Sequence, residues 1–145
     1  MSTQIFALTN LNELLSHFSA VNVTDPVPNE AGAFLQQVYP GSVFVTGAKL
    51  TQAMIKAVAA NTMDALRRKY CEAPFLIIQI DKDDAIKTTL QQELVFWLNV
   101  RQYKKLPTIL LSEVKLSEYP LTNESLMGYA LIYNSILLSR MPSSA

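Results

Sequence analysis

The chain has 145 residues, half of them apolar, enough for one domain with a real core and few for two. Twelve Lys and Arg balance twelve Asp and Glu, which excludes a globally basic coat for nucleic acid but not a local cationic patch. The single cysteine, Cys71, excludes an internal disulfide or a Cys-x-x-Cys pair, and the single histidine, His17, leaves no His-rich metal site.

In chain order, residues 4–8 predict a strand, and residues 11–18 a helix. Asp25-Pro26-Val27-Pro28-Asn29 is the clearest loop, since two prolines beside Asp and Asn interrupt any regular element. A helix over 30–38 and a strand over 42–46 follow. Residues 50–71 predict one long helix, with Leu50, Met54, Ala57, Val58, Ala65 and Leu66 near one stripe. Phe75-Leu76-Ile77-Ile78-Gln79-Ile80 is nearly all apolar, as suits a strand covered on both faces. A helix over 85–103 carries Ile86, Leu90, Leu94, Trp97 and Leu98 on one stripe, with Asp83 or Asp84 to cap it and Pro107 to stop it. A strand over 108–111 and a helix over 124–139 complete the order, and 141–145 reads as a frayed tail.

Strands separated by helices imply crossover connections. The expectation is a single α/β domain over 1–140, with a mostly parallel or mixed sheet of about four strands flanked by helices. The start of the chain lacks a positive n-region, and the longest mostly apolar run, 126–138, is too short to span a bilayer. A soluble, cytoplasmic protein follows as the expectation. The last predicted helix is apolar nearly all round, which predicts a buried second face or an interface through Tyr129, Ile132, Tyr133 and Ile136, with a homodimer as the expected form.

For chemistry, the most suggestive segment is Val43-Phe44-Val45-Thr46-Gly47-Ala48-Lys49-Leu50-Thr51, a strand, a glycine turn and a helix start. Such a turn aims backbone N–H groups at an anion, with Lys49 adding charge and Thr46 and Thr51 adding hydroxyls. It reads more simply as an ordinary strand-to-helix turn with Gly47 supplying a positive φ. No Gly-x-x-x-x-Gly-Lys-Ser/Thr loop and no Gly-x-Gly-x-x-Gly occurs. Arg67-Arg68-Lys69 and the group Arg101, Lys104 and Lys105 would make an anion-attracting surface if they shared a side. Asp81, Asp83 and Asp84 suit a divalent cation or, more simply, helix capping. His17 has no identifiable partner, and Cys71 reads as a buried thiol. No catalytic residue, metal or cofactor is assigned.

Over residues 4–80, Ile5-Phe6-Ala7-Leu8-Thr9-Asn10, the helix at Asn29-Glu30-Ala31-Gly32-Ala33-Phe34-Leu35 and the Thr46-Gly47-Ala48-Lys49-Leu50-Thr51 turn resemble the viral ring nuclease, or anti-CRISPR, family. Those dimeric α/β proteins bind and cleave cyclic tetra-adenylate. Ala48 stands where that family has its catalytic histidine. The resemblance therefore implies sequestration of a cyclic nucleotide rather than cleavage, with contacts from Asn10, Gly47, Lys49 and Thr51. The segment from Phe75 to Asp81 and Leu106-Pro107-Thr108-Ile109-Leu110-Leu111 alternatively resembles the C-terminal half of a thioredoxin fold, without its paired cysteines. The leading expectation is a binding protein for a phosphorylated small molecule. The alternative is a non-catalytic interaction or scaffold protein acting through its apolar C-terminal helix.

Overall fold

The computed structural model describes residues 3–129 and 133–135, and the side chains of residues 8–129. A sheet of five parallel strands, in the order β2-β3-β4-β1-β5, lies between two layers of helices. The elements run α1 (Thr3–His17), β1 (Ala20–Thr24), α2 (Pro28–Val38), β2 (Val43–Thr46), α3 (Gly47–Ala60), α4 (Met63–Cys71) and β3 (Leu76–Gln79). A 3-10 turn at Asp84–Ile86 leads into α5 (Thr88–Tyr103) and β4 (Thr108–Ser112). A second 3-10 turn at Leu116–Glu118 precedes α6 (Glu124–Tyr129) and β5 (Tyr133–Ser135).

Alternation along the strands builds one core on each face of the sheet. Leu76 and Ile78 of β3 and Leu110 of β4 join Leu50, Met54, Leu94 and Trp97 on the side of α3, α4 and α5. Ile77, Ile109 and Leu111 point the other way and meet Leu11 of α1 and Leu35 of α2. Burial on both faces is what makes β3 and β4 read as continuous apolar runs.

β1 is not visible in the apolar pattern, because Asn22 sits at its centre. The side chain is fully buried and fully used: Nδ2 donates to Leu110 O and Ser112 Oγ, and Oδ1 accepts from the Leu116 N–H. A buried amide satisfied in this way ties β1 to β4 and to the segment after it. With β1 in place, the predicted strand over 4–8 is instead part of α1.

Two further expectations change. The helix over 50–71 is two helices, because Asn61 takes a left-handed conformation (φ 58°) that ends α3 with its N–H on Ala57 O and Val58 O. Of the predicted helix over 124–139, the described residues give α6 at Glu124–Tyr129, and Tyr133–Ser135 pairs in parallel with β1 as an edge strand. Of the expected interface residues, Tyr133 therefore lies in a strand rather than on a helix face. Tyr129 places its hydroxyl against Asn99 and Gln102 of α5, within the chain. Ile132, Ile136 and the tail 141–145 fall outside the described residues. The expected α/β architecture, a mostly parallel or mixed sheet flanked by helices, is what the structure has, with all the strand pairings parallel. No helix among the described residues is long and apolar enough to cross a membrane.

Candidate functional site

In an open parallel sheet, ligands sit at the carboxyl ends of the strands, near the point where strand order reverses. Here that edge gathers the β1–α2 turn, the β2–α3 turn and the segments after β3 and β4. The first, third and fourth of these enclose a cleft of about 360 Å³ lined by Val27, Asn29, Gln79, Asp81, Glu113 and Tyr119, with Pro26, Pro28, Lys82 and Asp83 beside them.

The β1–α2 turn is only Asp25-Pro26-Val27. Asp25 is buried, its N–H donates to Ser112 O, and its Oδ1 accepts from the Val27 N–H at 2.8 Å. The Glu30 and Ala31 N–H groups both donate to Val27 O. Pro26 and Pro28 have no N–H to give. Pro28 opens α2, where a missing N–H costs the helix nothing. The turn thus has its Asp25 and Val27 amides already bonded and its carboxylate buried, with neither glycine nor lysine. The sequence marks this segment as the clearest loop but not as a strand-to-helix turn, because β1 is not evident in it; the signal is the short β-branched run around Asn22 leading straight into Asp-Pro.

At the β2–α3 turn, Thr46 caps α3, its Oγ1 accepting from the Lys49 N–H at 3.2 Å. The Thr51 hydroxyl donates back to Gly47 O. The carboxylate of Asp84 lies so close to Gly47 that any β-carbon there would collide with it. Asp84 is nearly inaccessible, accepts the Asp81 N–H through Oδ2, and returns its own N–H to Asp81 Oδ1. Lys87 Nζ stands 3.6 Å from its other oxygen. Burial pushes the Asp84 carboxyl above its ordinary pKa. The start of α3 therefore already faces an anion belonging to the chain itself.

Of the residues singled out from the sequence, Thr46, Gly47, Lys49 and Thr51 come together in this turn, with Lys49 exposed. Asn10 does not join them: it lies on α1, which packs on β1 and β5, whereas β2 is the opposite edge of the sheet.

The two basic groups have different fates. Arg101 is buried, donating to Tyr70 O, Ala73 O, Pro107 O and Thr108 Oγ1, and burial lowers its pKa to about 10. It clamps the end of α4 to the start of β4 and leaves the surface. Arg67 makes a two-pronged pair with Glu93 at 2.9 and 3.0 Å and stacks over Phe96, while Trp97 Nε1 donates to the same carboxylate. Arg68 and Lys69 are exposed. Overall, residues 47–71 hold five of the twelve cationic residues and one of the twelve acids, so charge is segregated although the total is zero.

Cys71 is buried, and desolvation raises its pKa, as expected of an inert thiol. His17 is exposed beside a separate cavity of about 770 Å³ at the other end of the sheet. No cluster of three or more metal-ligating side chains exists among the described residues. Asp84, turned inward, is not available to act with Asp81 and Asp83.

No protein-family model matches the chain, and no curated protein matches it. Solved structures do. The replication initiator DnaA bound to AMPPCP and single-stranded DNA superposes with a TM-score of 0.71 at 16% identity, over 90% of this chain and 45% of that one. AMPPCP-bound DnaA from Aquifex aeolicus gives 0.71 at 17% identity, over 92% of this chain and 45% of that one. DnaI gives 0.64 at 14% identity, over 92% and 84%. The chain spans less than half the length of the two DnaA structures. At such identities the likeness is one of fold. It overturns the resemblance to viral ring nucleases and the thioredoxin alternative: the short motifs around Asn10 and Gly47 sit in a different architecture, with residues 4–8 helical and β1 inserted between β4 and β5. The chain shares its fold with these DnaA and DnaI structures.

Proposed function

We propose that this chain is a binding module on a P-loop fold, working through contact with a macromolecular partner and not through nucleotide hydrolysis. One observation carries the reading. Where a P-loop domain needs a glycine-rich loop of free amides and a lysine between a strand and a helix, the β1–α2 turn offers Asp25-Pro26-Val27 with its amides spent and its carboxylate buried. Asp81, Asp83 and Glu113 around the cleft add further negative charge, with Lys82 the one cation lining it. A triphosphate would meet repulsion there. The nucleotide carried by the two DnaA structures belongs to them; fold alone does not transfer it.

The test is binding of fluorescent ATP with Mg²⁺, together with phosphate release. The expected result is no hydrolysis and no saturable binding below about millimolar. Hydrolysis, or micromolar binding lost on Asp25→Ala or Tyr119→Ala, would overturn the reading.

A second reading, a single-stranded nucleic acid along α3 and α4, is favoured by the charge segregation in 47–71 and by the likeness to DnaA bound to single-stranded DNA. It predicts oligo(dT) binding that weakens steeply with salt and is lost in Arg68→Glu with Lys69→Glu. Salt-independent or absent binding removes it.

A further inference from the structure

Resting on the reading of the chain as a binding module, the cleft at the carboxyl edge of the sheet points to what it takes in place of a phosphate. Its carboxylates come from separate connections: Asp81 and Asp83 follow β3, and Glu113 follows β4. Asp81 is held in place, its Oδ1 accepting from the Asp84 N–H at 2.8 Å. Tyr119, partly buried, lines the same cleft. Burial raises the pKa of its hydroxyl most, and the charges of Glu113 and Asp81 raise it further. Carboxylates from both connections therefore act on one aromatic side chain. The β1–α2 turn adds an apolar wall of Pro26, exposed Val27 and Pro28.

Three carboxylates against one ammonium, that of Lys82, select a cation. Their spread decides its size. Among the described residues, no three metal-ligating side chains come close enough to share one ion. A compact divalent ion would therefore leave most of this charge unmatched. A guanidinium suits it better. Its planar fork of donors pairs with carboxylates, its face stacks on an aromatic ring, and its stem covers apolar surface. A cleft of about 360 Å³ is at the low end for ligand sites and fits one long side chain rather than a helix. We propose that this cleft receives an arginine side chain of a partner protein, with its guanidinium on Glu113 and Asp81 beside Tyr119 and its stem against Val27.

The probe is N-acetyl-arginine amide, titrated into the isotope-labelled full chain and followed by backbone amide NMR shifts. N-acetyl-citrulline amide, its neutral isostere, is the control. The arginine compound should give saturable shifts at Val27, Gln79, Asp81, Glu113 and Tyr119, with a Kd of about 1–10 mM for one isolated side chain. Citrulline should bind at least about tenfold more weakly. Glu113→Gln and Asp81→Asn should each weaken arginine binding about threefold or more. Glu113 is exposed, and Asn at 81 keeps an oxygen for the Asp84 N–H, so melting curves should not move. Asp64→Asn, at an exposed acid on α4, should leave binding unchanged. Four results would overturn the proposal: no saturable shift, an equal response to citrulline, binding that survives both cleft substitutions, or the same shifts produced by Mg²⁺ alone. Nucleotide turnover in the earlier assay would sink the binding-module reading. A silent arginine titration without nucleotide binding would sink only this inference, so the two failures are distinguishable.

Discussion

The β1–α2 and β2–α3 turns both lead a parallel strand into the N-terminus of a helix at the same edge of the sheet. Their sequences advertise opposite things. The first, Asp25-Pro26-Val27, looks like a mere interruption; the second, Thr46-Gly47-Ala48-Lys49, looks like an anion cradle. In the fold, the first spends its Asp25 and Val27 amides on Ser112 O and its own carboxylate, while the second is closed by the Asp84 carboxylate of the next connection. A glycine at a helix start can thus signal the approach of the chain's own side chain as readily as that of a ligand. Amide accounting, not glycine content, tells the two apart.

The largest expected effect in this comparison comes from Gly47→Ala. The new methyl meets the buried Asp84 carboxylate, and the loss should be about 1–3 kcal/mol by urea unfolding. In an Asp84→Ala background the same substitution should cost little, giving a coupling of about 1 kcal/mol or more. An additive pair would mean that Asp84 is not what Gly47 accommodates.

Asp84→Asn sharpens the point through pH. Burial raises the native carboxyl pKa above its ordinary 3.8. The native state therefore holds the proton more tightly than the unfolded chain does. The stabilising contribution of that proton is complete below the unfolded value and is lost as pH rises through the raised native value. The Asn variant lacks this titration, so its stability relative to the parent should improve from pH 4 to pH 7. A difference flat across that range would show that burial does not control the group.

Lys49→Glu should have the smallest effect. Lys49 is exposed, its N–H is held by Thr46, and an acid in the first turn suits the helix dipole. Thermal unfolding should change by a few tenths of a kcal/mol at most, toward greater stability. A large loss would mean that Lys49 has an unseen structural task.

What the sequence made legible follows from burial. β3 and β4 are covered on both faces, so Leu76-Ile77-Ile78 and Ile109-Leu110-Leu111 announce themselves, and the α/β class follows from the helices between strands. β1 was hidden by Asn22, whose partners Leu110, Ser112 and Leu116 are remote in sequence. The break between α3 and α4 turned on one left-handed residue, Asn61, within an otherwise helical composition. The Gly47 turn was located correctly as a strand-to-helix junction, but its occupant came from Asp84, which reads locally as a helix cap. Arg101 was grouped with Lys104 and Lys105 by proximity, although its four acceptors in the core draw it inward. In each case the missing information was a contact between distant segments.

The strand order has a consequence for how the chain is made. β1 is synthesised first of the five strands, yet it lies between β4 and β5, the two synthesised last. On a ribosome, β2 and β3 can meet as soon as Leu76–Gln79 emerges, while β1 waits for Thr108–Ser112 with its backbone groups unmatched. A nascent chain arrested before β4 should therefore be far more sensitive to protease in the α1–β1–α2 segment than the released protein.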